Sequence, residues 1–229
     1  MVRQTTKAVA VDGMGGDQAP HVPVLGALQA AKSGIRVNIF GDAFKIERLL
    51  GNEYPQWQSL EIFITNTTEI IRMDEEPAKA VRKKTYSSLV KAVQSVAIGD
   101  SCGVVSAGNS GAMMVASALN LGRADDVKRP AIGGFMPSFS KVNSSAFCLD
   151  LGANVDCKPE YLLQFAHMGI DAVTCGNEQK KPSVGLLSNG SEDCKGSALV
   201  KETHNLLVAS NLNFIGNVEP QEVLSGYCD

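Results

Sequence analysis

Residues 106–112, SAGNSGA, set Ser106, Asn109 and Ser110 among the glycines Gly108 and Gly111, after an apolar run ending at Val105 and before the run Ala112–Leu121. That order permits three chemistries. Glycines let the main chain approach an anion, whose charge the free N–H groups and dipole of the following helix would hold, with Ser106, Asn109 and Ser110 as side-chain ligands. GNSGA also has the outline of a strained elbow carrying a nucleophilic serine, with Ala112 in place of the final glycine. Asp150, Asp156, Asp171 or Asp193 followed by His204 would complete the order Ser, Asp, His, although His204 falls inside a helix-like run. The third reading is a tight turn with Asn109 or a serine as helix cap.

Three more loops share this composition. DGMGGDQAP (12–20) supplies Asp12, Gly15, Gly16 and Asp17 where a dinucleotide fold would carry G-x-G-x-x-G, with Asp42 at a tolerable distance. Gln18 stands at the third glycine position, and Pro20 and Pro23 crowd the helix start, so the fingerprint is incomplete. LGANVDCKPE (151–160) supplies Asn154, Asp156 and Lys158. SNGSEDCKG (188–196) has the acid pair Glu192 and Asp193, then Lys195 just ahead of a helix. There Lys195 either lies near an anion held by backbone N–H groups or sits on an exposed capping turn. Arg82, Lys83 and Lys84 follow the acidic MDEE and read as a solvated basic turn or as a docking patch for an acidic partner.

The elements that must position these loops alternate. Strand-like runs fall at 8–11, 36–40, 61–64, 103–106, 146–151, 184–187 and 213–216, and helix-like runs at 22–34, 77–99, 111–122, 159–169 and 198–210. Pro77 and Pro159 open two of the helices and glycine closes several. This alternation predicts a three-layer α/β fold, a mostly parallel sheet with helices on both faces, in one domain over residues 1–229. Its ligand would sit at the carboxyl ends of the strands, where the four loops gather. Residues 124–145 are the most irregular stretch and read as an excursion over the sheet.

Composition narrows the partners. A formal net charge of −3 gives no global attraction to nucleic acid, and no nucleic-acid partner is expected. The six cysteines contain no C-x-x-C pair and three histidines accompany them, so no metal site is expected. Cysteines within apolar runs suit a reducing cytoplasm. The N-terminal run ends at Asp12 and does not read as a signal peptide, and no apolar stretch approaches the roughly 18–20 residues of a membrane span.

Taken together, VAVDGMGGDQAP, DEEPAKAVRKKTYSSL, SAGNSGAMM, KRPAIGGFMPS, LDLGANVDCKPEYLLQFA, VGLLSNGSEDCKG and NFIGNVEP resemble, in order and spacing, the bacterial acyl-acyl carrier protein:phosphate acyltransferases, the PlsX family. The resemblance implies an isocitrate/isopropylmalate dehydrogenase-like fold related to phosphotransacetylase. It implies a cytoplasmic homodimer that moves a long-chain acyl group from acyl carrier protein to inorganic phosphate in phospholipid synthesis, without cofactor or metal. Members of that family continue past the equivalent of Asp229, and the continuation contributes to the cleft, the dimer contact and peripheral association with the membrane. Ser188, Cys194 and Ser197 depart from the family's usual residues.

On this reading phosphate itself is the nucleophile, held at residues 106–111, while Lys195 adds charge and Asn154 or Asn109 donates to the developing oxyanion. Ser110 is then a ligand, and Arg82, Lys83 and Lys84 meet the acidic carrier protein. The alternatives are a short-chain phosphate acetyltransferase-like enzyme, a dinucleotide-dependent oxidoreductase, and a non-catalytic fragment that only binds its partner.

Overall fold

The computed structural model describes residues 7–139, 145–175 and 181–229. Its contacts divide the chain into two compact units, Met1–Arg123 and Ala124–Asp229.

The first unit is built on four parallel strands, β1 (Ala8–Asp12), β2 (Val37–Gly41), β3 (Ile62–Asn66) and β4 (Ser101–Val105), in the order β3-β2-β1-β4. Alternate residues of a strand face opposite sides. Val11, Val37 and Ile39 accordingly pack with Val24, Leu28, Ile46 and Leu50 of α1 (His21–Lys32) and α2 (Ala43–Glu53), each such burial contributing about 1.5–3 kcal/mol. Ala10 and Phe40 face the other way, onto Ala92 of α4 (Ser88–Ala97). A second cluster on α4 joins it to α3 (Pro77–Lys83) and α5 (Ser110–Asn120) through Val81, Leu89, Val93 and Ala112. Helices therefore cover both faces of a parallel sheet, as the alternation predicts.

The strand order reverses at β1. The chain runs outward from β1 to β3, then crosses back through α3 and α4 to place β4 on the other side of β1. In open α/β sheets the crevice at such a reversal, outside the strands' carboxyl ends, is where ligands bind. Here the two loops bordering it are 12–20 and 106–112.

The second unit contains an antiparallel pair, β5 (Gly133–Pro137) and β6 (Ser145–Leu149), and a parallel pair, β7 (Val184–Leu187) and β8 (Phe214–Val218). Its helices are α6 (Pro159–Thr174), α7 (Ala198–Val208) and α8 (Pro220–Leu224). The loop bearing Asn154 thus leaves an antiparallel ribbon rather than a strand of a parallel sheet.

Several boundaries differ from the sequence reading. The run 77–99 is two helices, because Ser87 caps α4 by accepting the Val90 N–H while Lys84 turns back to bond the Ile70 carbonyl at 2.7 Å. The segment 43–53, for which the sequence carries no helix expectation, forms α2. Its charged residues and Gly51 dilute the pattern, yet Asp42 caps it through the Lys45 N–H at 3.2 Å, and Ile46 and Leu50 are fully buried. Strand β5 lies in the stretch read as irregular, since two glycines and a proline in five residues carry no β signal. A Cβ on Gly133 would come within 2.6 Å of the Phe147 ring, so the glycine makes room for the ring. Residues 140–144 of that stretch lie outside the described residues.

Candidate functional site

At the reversal point the two loops are joined by a buried carboxylate. Asp12, 2% exposed, accepts the Ser106 hydroxyl at 2.7 Å on Oδ2 and the Met14 N–H at 3.3 Å on Oδ1. Ser106 Oγ in turn accepts the Gly108 N–H at 3.0 Å. With its proton directed at Asp12 and its oxygen facing Gly108, the Ser106 side chain shapes the loop. A Cβ on Gly15 would stand 2.9 Å from the Gly108 nitrogen and would overlap the Asp12 carboxylate. One on Gly16 would lie 2.8 Å from the Ala107 carbonyl oxygen, and Gly16 also holds φ +98°, a region that side chains rarely adopt. The loops therefore meet main chain to main chain.

Asn109 has a comparable bracing position. It caps α5 by accepting the Ala112 N–H at 3.0 Å, while its Nδ2 donates to the carbonyls of Arg72, Met73 and Glu75 at 3.4, 3.2 and 3.1 Å. The 72–75 segment is held again from just past α3, where Lys84 bonds the Glu75 carboxylate. The Lys84 ammonium, then the Arg72 N–H, hold the Glu75 carboxyl below its ordinary range. Gly111 lies against Pro77, whose ring carbon would be 2.6 Å from an added Cβ, so this glycine sets the approach of α3 to α5. The segments 14–17 and 70–74 border a cleft of about 330 Å3 with Met14, Ile70 and Met73 in its walls.

What remains open is the N-terminus of α5. Ser110 is exposed, and among the described residues neither its hydroxyl nor the N–H groups of Ser110 and Gly111 have a protein partner. These are the donors a helix N-terminus offers an anion. Asp17 is exposed at the edge of the cleft. Arg82 and Lys83 are exposed on α3 and, with Lys79, form no ion pair among the described residues, whereas Lys84 is an internal brace.

In the second unit Asn154 is also committed. Its Nδ2 donates to Pro130 O at 2.9 Å and to Asp150 Oδ2 at 2.8 Å. Burial pushes the Asp150 carboxyl up, but donors from Ile132, Ala153 and Asn154 outweigh it and hold the group below its ordinary range. Asp150 organises this loop, and a carboxylate drawing in that many donors could have been found from its place two residues before Gly152 in LDLGANVD. Asp156 and Lys158 are exposed just ahead of α6. In the 188–196 loop Glu192 and Lys195 are exposed, and the Lys195 N–H donates to the Glu192 carbonyl at 2.9 Å. His204 on α7 has both ring nitrogens engaged, Nδ1 at 3.2 Å from Asn217 Oδ1 and Nε2 at 3.7 Å from Asp193, an arrangement unlike a hydrolytic base.

Among the described residues no group of three His, Cys, Asp or Glu side chains could hold a metal ion, and no helix is long and apolar enough to cross a membrane.

Comparison with known proteins places this chain in a family. The chain is 42% identical over 226 residues to a phosphate acyltransferase of Ligilactobacillus salivarius, covering 97% of this chain and 66% of that protein. It is 42% identical to one of Bacillus pumilus (96% of this chain, 65% of the relative) and 44% identical to one of Dictyoglomus turgidum (95% and 64%). The chain thus spans just under two thirds of the length of these curated relatives. The family model described as fatty acid synthesis protein matches residues 7–229, and the chain belongs to that family, the one its seven segments resemble.

Proposed function

We propose that the protein transfers a long-chain acyl group from the thioester of acyl carrier protein to inorganic phosphate, and that the N-terminus of α5 holds the phosphate. The observation that carries this reading is the set of uncommitted donors on Ser110 and Gly111 at the β1/β4 reversal, in a chain whose relatives are named phosphate acyltransferases. Near neutral pH much of the phosphate is dianionic, so its oxygen attacks the carbonyl carbon without a strong base. A C–O bond forms, the C–S bond breaks, and the carrier leaves as a thiolate. The protein's part is to fix the anion and stabilise charge on the carbonyl oxygen. Asp12, Ser106 and Asn109 serve by shaping the cradle, since their side chains are committed within the protein.

Ser110→Ala separates ligand from nucleophile. As a ligand, Ser110 gives a rise in KM for phosphate of roughly tenfold with kcat little changed, the size expected for one hydrogen bond to a charged group. A covalent serine predicts near-total loss of turnover and would overturn the assignment.

The carrier protein as donor partner is part of the same proposal, supported by the exposed cations of α3. Arg82→Glu with Lys83→Glu is expected to raise KM for acyl carrier protein, and the effect should shrink as salt rises. Lys84→Ala should instead lower thermal stability, because it frees the Glu75 carboxylate and the Ile70 carbonyl. Equal salt-dependent KM effects from Lys84 and from the Arg82/Lys83 pair would contradict this division.

A further inference from the structure

The loop that carries Lys195 is seated by a buried polar chain that the acyl-transfer reading does not use. His204 is 8% exposed and Asn217 4% exposed, and both lie behind the 188–196 loop on α7 and β8. Asn217 Nδ2 donates to the Glu192 carbonyl at 3.0 Å, and the same carbonyl accepts the Lys195 N–H at 2.9 Å. That bond fixes the Asn217 amide with Oδ1 toward His204, 3.2 Å from Nδ1, so Nδ1 carries the proton. The other ring nitrogen faces Asp193 Oδ1 at 3.7 Å. The stem of Lys195 lies over Gly190, where an added Cβ would be 2.9 Å from Lys195 Cγ.

The neutral ring satisfies one side of this arrangement only. With Nδ1–H donated to Asn217, Nε2 presents a lone pair to a carboxylate. A second proton on Nε2 converts that contact into an ion pair, while Asn217 stays in place. Phe214 packs edge-on to the ring at 5.2 Å. Asp193 is the only charged group ion-paired with the ring among the described residues, and α6, which also packs on α7, contributes neither a hydrogen bond nor an ion pair to it.

We propose that His204 is a positioning residue for Lys195. Through Asn217 it holds the Glu192–Lys195 turn, and when protonated it also grips Asp193, so the turn is held more tightly as pH falls. Its kinetic consequence rests on the acyl-transfer reading, but its structural consequence does not.

The test is amide hydrogen exchange of residues 190–196, expressed as protection factors, measured from about pH 5.5 to about pH 8. The wild-type chain should show protection that rises toward the acid end. Asp193→Asn should keep the protection seen at pH 8 and lose the rise. His204→Asn, which keeps a donor near the Nδ1 position, should do the same, while His204→Leu loses protection throughout the range. An acid-side rise retained in Asp193→Asn overturns the proposal, as does unchanged protection in His204→Leu. Should His204→Leu fail to fold, the two asparagine variants still decide.

In turnover, His204→Leu should move the same kinetic constant as Lys195→Ala, in the same direction, by roughly five- to tenfold for loss of a buried hydrogen-bond partner. Opposite or unrelated effects would show that His204 supports the fold without positioning Lys195. Absence of acyl phosphate formation by wild type counts against the acyl-transfer reading and leaves the exchange result to stand on its own.

Discussion

Gly15→Ala is expected to unseat the two loops of the cradle at once. The new methyl would meet the buried Asp12 carboxylate and lie 2.9 Å from the Gly108 nitrogen, and neither neighbour is a flexible side-chain end that can swing away. Asp12 is held by Ser106 and Met14, and Gly108 is held by Ser106. Overpacking of this kind costs about 1–3 kcal/mol, and displacing a binding group by about an ångström lowers turnover by about a hundredfold. Urea unfolding and phosphate-dependent turnover check the two effects separately. Gly26→Ala in α1 is the control: nothing lies within 4 Å of its added methyl, and the change should be neutral or stabilise by up to about 1 kcal/mol. A Gly15→Ala protein with the wild-type urea midpoint and turnover would mean that the loops do not touch as described.

The second large effect is at Asn109. If this residue were only a helix cap, aspartate would replace it well, since the two are nearly equal as caps. The geometry predicts the opposite. Asn109→Asp keeps the oxygen that accepts the Ala112 N–H but turns a carboxylate on the carbonyls of Arg72, Met73 and Glu75, where an amide had donated. Loss of those donors, with repulsion added, should lower stability by about 2–4 kcal/mol, as much as Asn109→Ala. Exchange at residues 72–75 should speed up in both variants. Asn109→Asp at wild-type stability would reduce Asn109 to a cap and remove the link between α5 and the cleft wall.

Some of this was legible in the sequence and some was not, for physical reasons that differ by residue. The run AVAV announced β1, because a strand buried on both faces is continuously apolar. The sequence missed β5, whose Gly133 is required by the ring of Phe147 on the partner strand. SAGNSGA was recognised as a loop that could hold an anion, but composition cannot tell a polar group aimed outward from one aimed inward. Ser110 is open, Ser106 is bound to a carboxylate 94 residues away, and Asn109 is bound to carbonyls 34–37 residues away. The basic triplet divides for the same reason. Arg82 and Lys83 stay on the surface, while one position later the chain leaves α3 and Lys84 folds inward.

The crossover that returns the chain from β3 to β4 also decides how long the candidate site persists. Strands β1, β2 and β3 follow one another and share the core around Leu28 and Ile39 with α1 and α2, whereas within the sheet β4 pairs with β1 alone, and Val104 of β4 is tied to the rest through α4. The Asp12–Ser106 bond and the Gly15–Gly108 approach both span that one seam. Proteins open locally, in cooperative pieces, well below the free energy of global unfolding. An opening confined to the β1/β4 seam and the α4 packing that spans it would dissolve the proposed cradle while the α1–α2 core stays packed, so the candidate anion site would last no longer than that seam stays closed.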